Sequence, residues 1–134
     1  MHHRLTILVF VATALPSIAD AKDCSNAPTQ TEMNACANDA FKSSDAELNA
    51  VYGQIKKRLK NDLDATKLLV AAQRAWIGFR DAECTFSASA SAGGSVQPMI
   101  LSGCQERLTR ARVSDLRSYL NCEEGDLACP VPPK

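Results

Sequence analysis

From Met33 onward, hydrophobic positions recur every three or four residues, and no stretch alternates strictly, so the pattern predicts helices and no strands. Met33, Ala37, Phe41, Leu48, Val51, Tyr52, Ile55 and Leu59 form a first stripe that runs through Lys60. Thr29 followed by Glu32 is a capping box, which places the start of this helix near Thr31. Ahead of it, Pro28 keeps a short lead-in extended. Ser44 and Glu47 repeat the capping spacing inside the stripe, so one bent helix is expected, with a restart at Ser44 as the alternative. Residues 61–64 read as a polar turn from which Asp64 caps a second helix. Its stripe is Leu68, Ala71, Ala72, Ala75, Trp76, Phe79 and Ala82, ending near Phe86. Residues 87–97 are rich in Ser, Ala and Gly, and Gly93-Gly94 should interrupt any helix. Pro98 suits the first turn of a third helix. Met99, Leu101, Cys104, Leu108, Ala111, Leu116, Tyr119 and Leu120 carry that helix to about Asn121. Three amphipathic helices with short connections predict an all-α fold, a small antiparallel up-down-up bundle over residues 22–121. Residues 122–134, with Gly125 and three prolines, are expected to be an irregular tail.

The first residues bear on compartment. Arg4 precedes an apolar run over residues 5–15, Pro16 breaks it, and Ala19-Asp20-Ala21 fits a signal-peptidase site. Residues 1–21 are therefore expected to be a signal peptide cleaved after Ala21, or after Ala19 as second choice. The run is shorter than the roughly 20 residues a membrane span needs. Cys24 follows Lys22-Asp23 instead of sitting at the cleavage site, so no lipid anchor is indicated. A periplasmic or secreted protein is expected, without membrane insertion after cleavage.

Cleavage also changes the chemistry available. It removes Arg4 from fifteen basic side chains and Asp20 from fifteen acidic ones, leaving the formal charge at zero. That balance excludes the basic excess of a nucleic-acid binder. It removes His2 and His3 as well, the only histidines. Neither a Ser-His or Cys-His catalytic pair nor a histidine-ligated metal site can then be built. No enzyme, no catalytic residue, no metal and no cofactor is expected.

Six cysteines in a short exported chain predict three disulfides. The absence of any C-x-x-C pair argues against zinc. In an up-down-up bundle Cys84 lies beside the start of the third helix, making Cys84–Cys104 a plausible bridge. Cys24 can fold back onto Cys36, and Cys122 with Cys129 closes a short tail loop. The rival is Cys36–Cys84, because the two fall within roughly 6 Å of one level at about 1.5 Å per helical residue.

The densest cluster of distinctive residues is Gln73-Arg74-Ala75-Trp76-Ile77-Gly78-Phe79-Arg80-Asp81-Ala82-Glu83-Cys84. Trp76 and Arg80 are four apart, so the guanidinium can lie over the indole. Such a pair can form a recognition face. It can equally be structural, with Trp76 in the core and Arg80 covering it through its aliphatic stem. The structural reading is favoured, because this is the only tryptophan in a small bundle. Arg107, Arg110, Arg112 and Arg117 crowd the third helix but form no single stripe, and Glu106 and Asp115 dilute them, which suits a solvated face with ion pairs. Asp62 with Asp64, and Glu123 with Glu124, lie where nothing would desolvate them, so acid–base work is not expected. The uncharged segment 87–97 is the remaining candidate. It can act as a binding loop on a rigid scaffold or as a plain helix–helix linker.

Several of these stretches also resemble one known family. They are Gln30-Thr31-Glu32-Met33-Asn34-Ala35-Cys36-Ala37, then Asp45-Ala46-Glu47-Leu48-Asn49-Ala50-Val51-Tyr52. Gln73-Arg74-Ala75-Trp76 follows, with Phe79-Arg80-Asp81-Ala82-Glu83-Cys84. Gly93-Gly94-Ser95 precedes Cys104 and Leu108-Thr109-x-x-Arg112. Together, over about residues 24–120, they resemble the lysozyme-inhibitor LprI-like family of exported bacterial proteins. The resemblance implies a disulfide-stapled helical domain that binds a lysozyme-type muramidase and blocks its cleft without catalysis. In that reading the 87–97 loop, with Gly93, Gly94 and Ser95 at its turn, enters the cleft, and nearby arginines such as Arg80 or Arg107 meet its carboxylates. The alternative is a cell-envelope interaction or stress protein that docks another envelope component.

Overall fold

A computed structural model describes residues 24–133. Its elements are α1 (Gln30–Arg58), α2 (Leu63–Ser87), a short 3-10 turn (Ser89–Ser91) and α3 (Gln97–Leu120), with no strand among the described residues. The all-α disulfide-stapled bundle expected from periodicity is the observed fold.

Local chemistry explains the helix ends. Thr29 caps α1 by accepting the Glu32 backbone N–H at 3.2 Å, and its hydroxyl donates to the Glu32 carboxylate at 2.6 Å. Lys56, Lys57 and Arg58 fill the last turn, where positive charge complements the helix dipole. Ser44 does not restart the helix. Its hydroxyl donates back to the Phe41 carbonyl at 2.8 Å, and α1 continues through it as one element. Asp62, not Asp64, caps α2, accepting the Ala65 N–H at 2.9 Å. Asp64 lies within the first turn and pairs with Lys67 instead. Pro98 sits in the first turn of α3, as its fixed φ favours.

α1 and α3 run side by side in the same direction. Asn34 donates to the Ser95 carbonyl at one end, and Arg58 donates to the Leu120 carbonyl, 2.8 Å away, at the other. α2 returns antiparallel, rests mainly on α3 and meets α1 chiefly through long side chains. The apolar core sits where α1 and α3 end. Leu48, Val51, Ile55, Leu59, Val113 and Leu116 build it, with Tyr52, Leu69, Trp76 and Tyr119 packed against it. Val131 joins this core at 2% exposure, so the tail is irregular in path but reaches back to seal the bundle.

The expected inward stripe of α2 is largely reversed. Leu68 is 72% exposed and Phe79 55%, while Ala71, Ala72, Ala75 and Ala82 also face outward. The buried positions of α2 are Gln73, Arg80 and Cys84, with Trp76 half-buried. The cause is that α1 and α3 already bury each other, so α2 attaches through a polar stripe.

The disulfides are Cys24–Cys36, Cys84–Cys104 and Cys122–Cys129; the rival Cys36–Cys84 bridge is not formed. Cys84 and Cys104, with Cα atoms 5.5 Å apart, tie α2 to α3 just below the 88–96 connection.

Candidate functional site

The conspicuous motif of α2 builds an internal clamp. Arg80, 7% exposed, donates through Nη1 to the Asp45 carboxylate of α1 at 3.0 Å and to the Thr109 hydroxyl of α3 at 3.4 Å. Its Nε donates to Asp81 at 2.9 Å. The same guanidinium lies 5.1 Å from the Phe41 ring centroid and 5.3 Å from that of Trp76. Arg112 reaches the Trp76 ring from α3 at 5.9 Å, and its Nε donates to the buried Gln73 amide oxygen at 3.1 Å. Gln105 adds a hydrogen bond to Asp81 at 3.3 Å. Trp76 is thus held between two guanidinium groups, and one arginine joins all three helices. The favoured structural role of the Trp76–Arg80 pair matches this arrangement. Sequence reasoning missed Asp45, Gln73, Thr109 and Arg112 as its partners. Gln73, Arg80 and Cys84 falling on one side of α2 was the available sign that this side is the buried one.

The four arginines of α3 go separate ways. Arg110 pairs with Glu106 at 3.3 Å, Arg117 with Glu47, and Arg112 with Gln73 and Trp76. Arg107 is exposed. Among the described residues, no group of three or more His, Cys, Asp or Glu side chains could hold a metal ion.

The 87–97 segment is more ordered than its composition implied. α2 extends to Ser87, Ala88 is buried, and Ser89–Ser91 form the 3-10 turn. Only residues 92–95 project as an irregular exposed tip. Gly93 takes φ +77°, the left-handed conformation that favours glycine. Hydrogen bonds hold the tip: the Gly93 N–H donates to the Gln97 side chain at 3.0 Å, the Gly94 N–H to the Ser91 carbonyl at 2.9 Å, and Asn34 to the Ser95 carbonyl. Cys84–Cys104 and Cys24–Cys36 brace the same end of the bundle. Gly93, Gly94 and Ser95 therefore share an exposed, braced tip. Arg107 lies exposed further along α3, and Arg80 is turned into the clamp, where its charge is engaged within the chain.

At the opposite end lies a feature the sequence did not announce, a mostly apolar groove of about 260 Å³ between α2, α3 and the tail. Leu68, Leu69, Ala72, Tyr119, Pro130 and Val131 are among its lining residues.

Known proteins resemble this chain in sequence and in fold. An uncharacterized protein of Rhizobium meliloti (strain 1021), R02472, is 36% identical over 113 residues, spanning 76% of this chain and 81% of that protein. The uncharacterized protein YecT of Escherichia coli (strain K12) is 33% identical over 81 residues, half of each chain. The crystal structure of a DUF1311 family protein from Pseudomonas putida KT2440 superimposes with a TM-score of 0.62 at 23% identity, covering 69% of this chain and 95% of that one. The model of the family described as lysozyme inhibitor LprI matches residues 21–116. Helical fold and sequence agree, and the chain belongs to the lysozyme inhibitor LprI family.

Proposed function

We propose that this protein is an exported, non-enzymatic inhibitor of a lysozyme-type muramidase, and that residues 92–95 occlude the enzyme's cleft. Membership of the LprI family is the observation that carries the reading. The geometry supports it in a specific way. A muramidase cleft is a groove with two carboxylates flanking the scissile bond, and blocking it requires a narrow projection that stays in shape. Residues 92–95 are exposed and lack charged side chains, so their burial carries little desolvation cost. Their turn is already hydrogen-bonded and braced by Cys84–Cys104, which reduces the ordering entropy lost on binding. Arg107, exposed on α3, is available to a carboxylate at the cleft rim. Arg80 contributes indirectly by fixing α2 against α1 and α3.

The test replaces residues 92–95 with a shorter turn while keeping Cys84 and Cys104. Circular dichroism confirms that the helices remain. Inhibition of cell-wall lysis should fall at least tenfold in the folded variant. Full inhibition by that variant would move the binding surface elsewhere on the molecule.

A further inference from the structure

One wall of the apolar groove carries a cation that the bundle orients but does not neutralise. Among the described residues, Arg112 is the one charged residue lining the groove, and the phenol of Tyr119 is the one other polar side chain there. Arg112 is half-buried, and its Nε donates to the Gln73 amide oxygen at 3.1 Å. Gln73 is itself buried, so a fixed amide sets the direction of the guanidinium, whose Cζ lies 5.9 Å from the centroid of the Trp76 ring. Arg80, Arg110 and Arg117 each hold a carboxylate. Arg112 holds none among the described residues, and both of its Nη groups are left without a hydrogen-bond acceptor.

We propose that the groove binds a small amphipathic carboxylate, with the carboxylate on the Nη edge of Arg112 and the apolar body along the groove. A planar guanidinium fork matches a carboxylate through two parallel hydrogen bonds. A single unneutralised cation suits a monoanion. The Nε bond to Gln73 holds the fork in place before any ligand arrives, which reduces the ordering cost of binding. Beyond Arg112 the lining is what an acyl chain needs, with Leu68, Leu69, Pro130 and Val131 offering apolar contact.

Size and direction agree with such a ligand. The Cys84–Cys104 bridge and the Gln73–Arg112 bond set α2 antiparallel to α3, so Ala72 lies level with Arg112 and Ala65 level with Tyr119. The two ends are seven residues of α3 apart, about 10.5 Å at 1.5 Å per residue, which suits a medium-chain acid. The volume of about 260 Å³ falls just below the roughly 300–1,000 Å³ of sites for larger small molecules. Leu68, 72% exposed in the free protein, gains a covering chain. The tail is held at the groove by the Cys122–Cys129 bridge, directly before Pro130, and by the buried Val131. Tyr119, Pro130 and Val131 lie beyond residues 21–116 matched by the family model, so this site is separate from the inhibitory reading.

Titration of the disulfide-bonded chain, freed of residues 1–21, with octanoate tests this through the emission of Trp76, the only tryptophan. A saturable change is expected, with a dissociation constant on the order of 1 mM for so small a ligand. Acetate, which lacks the chain, and octylamine, which reverses the charge, should not saturate over the same range. Arg112→Gln should abolish binding, but it also releases Gln73, so a second position decides. Ala72 is exposed and lines the groove, and Ala72→Glu places a competing carboxylate beside Arg112 without disturbing the core. Ala72→Glu should weaken octanoate binding about tenfold or more. Ala72→Gln, of the same size and uncharged, should weaken it less than about threefold. Circular dichroism confirms that both variants keep their helices. No saturable response to octanoate overturns the proposal, as does equal binding of octylamine or acetate, or an Ala72→Glu variant that binds like its parent. Binding of a short peptide ending in a free leucine carboxylate, without binding of octanoate, overturns it too and gives the groove to a protein terminus.

Discussion

Replacing Arg80 with alanine should destabilise the protein through loss of the contacts that join its helices. The side chain is 7% exposed and donates to Asp45, Thr109 and Asp81, one partner on each helix. Severing a fully buried pair costs about 3–5 kcal/mol, because the remaining charge is stranded. Here the stranded groups are carboxylates whose side chains are 39% and 50% exposed, so water can take over much of their solvation. The Thr109 hydroxyl, at 0% exposure, has no such recourse and loses a charged partner. Loss of stacking on Phe41 and Trp76 and of the buried aliphatic stem adds to this. The total is about 2–3 kcal/mol, or a fall in melting temperature of roughly 10–15 °C for a domain of this size. Arg80→Lys keeps the charge but cannot donate in three directions from a planar group, so it should recover less than half of the loss. Arg74→Ala, six positions earlier and exposed, is the control and should stay within about 0.5 kcal/mol. Thermal unfolding followed by circular dichroism, with disulfides intact, reads all three. If Arg80→Ala melts with the control, the guanidinium is not holding the helices together.

Trp76→Ala should cost about 2–3 kcal/mol by the same assay, less than a fully buried tryptophan, since the ring is half-buried between two arginines. Thiol labelling of the unreduced, denatured protein should find no reactive cysteine, and Cys84→Ser with Cys104→Ser should lower stability by about 2–4 kcal/mol. Ending the chain after Pro130 removes the buried Val131 and should cost about 1.5–3 kcal/mol, visible as a lower denaturant midpoint; an unchanged midpoint would mean the tail only rests on the surface.

Helix number, order and approximate ends were legible because they depend on local chemistry. Thr29 with Glu32, Pro98 and Gly93-Gly94 each act within a turn of their own position. The choice between Asp62 and Asp64 as the α2 cap was not legible, since both side chains suit the role and only the chain's exit from Leu59 separates them. Periodicity found the apolar stripe of α2 but not its direction. A repeat of three and four marks a face that seeks apolar contact, whether that contact lies inside the chain or beyond it. The buried side carries Gln73 and Arg80, which read as surface residues until Asp45, Thr109 and Arg112 are brought to them from 35, 29 and 39 positions away. Val131 escaped for a related reason, as a single valine between prolines has no periodicity to reveal it. Of the candidate site, the Gly93-Gly94-Ser95 turn was foreseeable from composition. Its bracing by Asn34 and Gln97 depends on α1 and α3 meeting at that end.

The proposed function requires this member of the LprI family to restrain a muramidase. The direct measurement follows the turbidity of a cell-wall suspension during lysis by lysozymes of several classes, with the disulfide-bonded chain lacking residues 1–21 added in increasing amounts. A saturable, dose-dependent slowing is expected with at least one class, lost when the three disulfides are reduced. Lysis at the uninhibited rate with every class, at a large molar excess of folded protein, would contradict it.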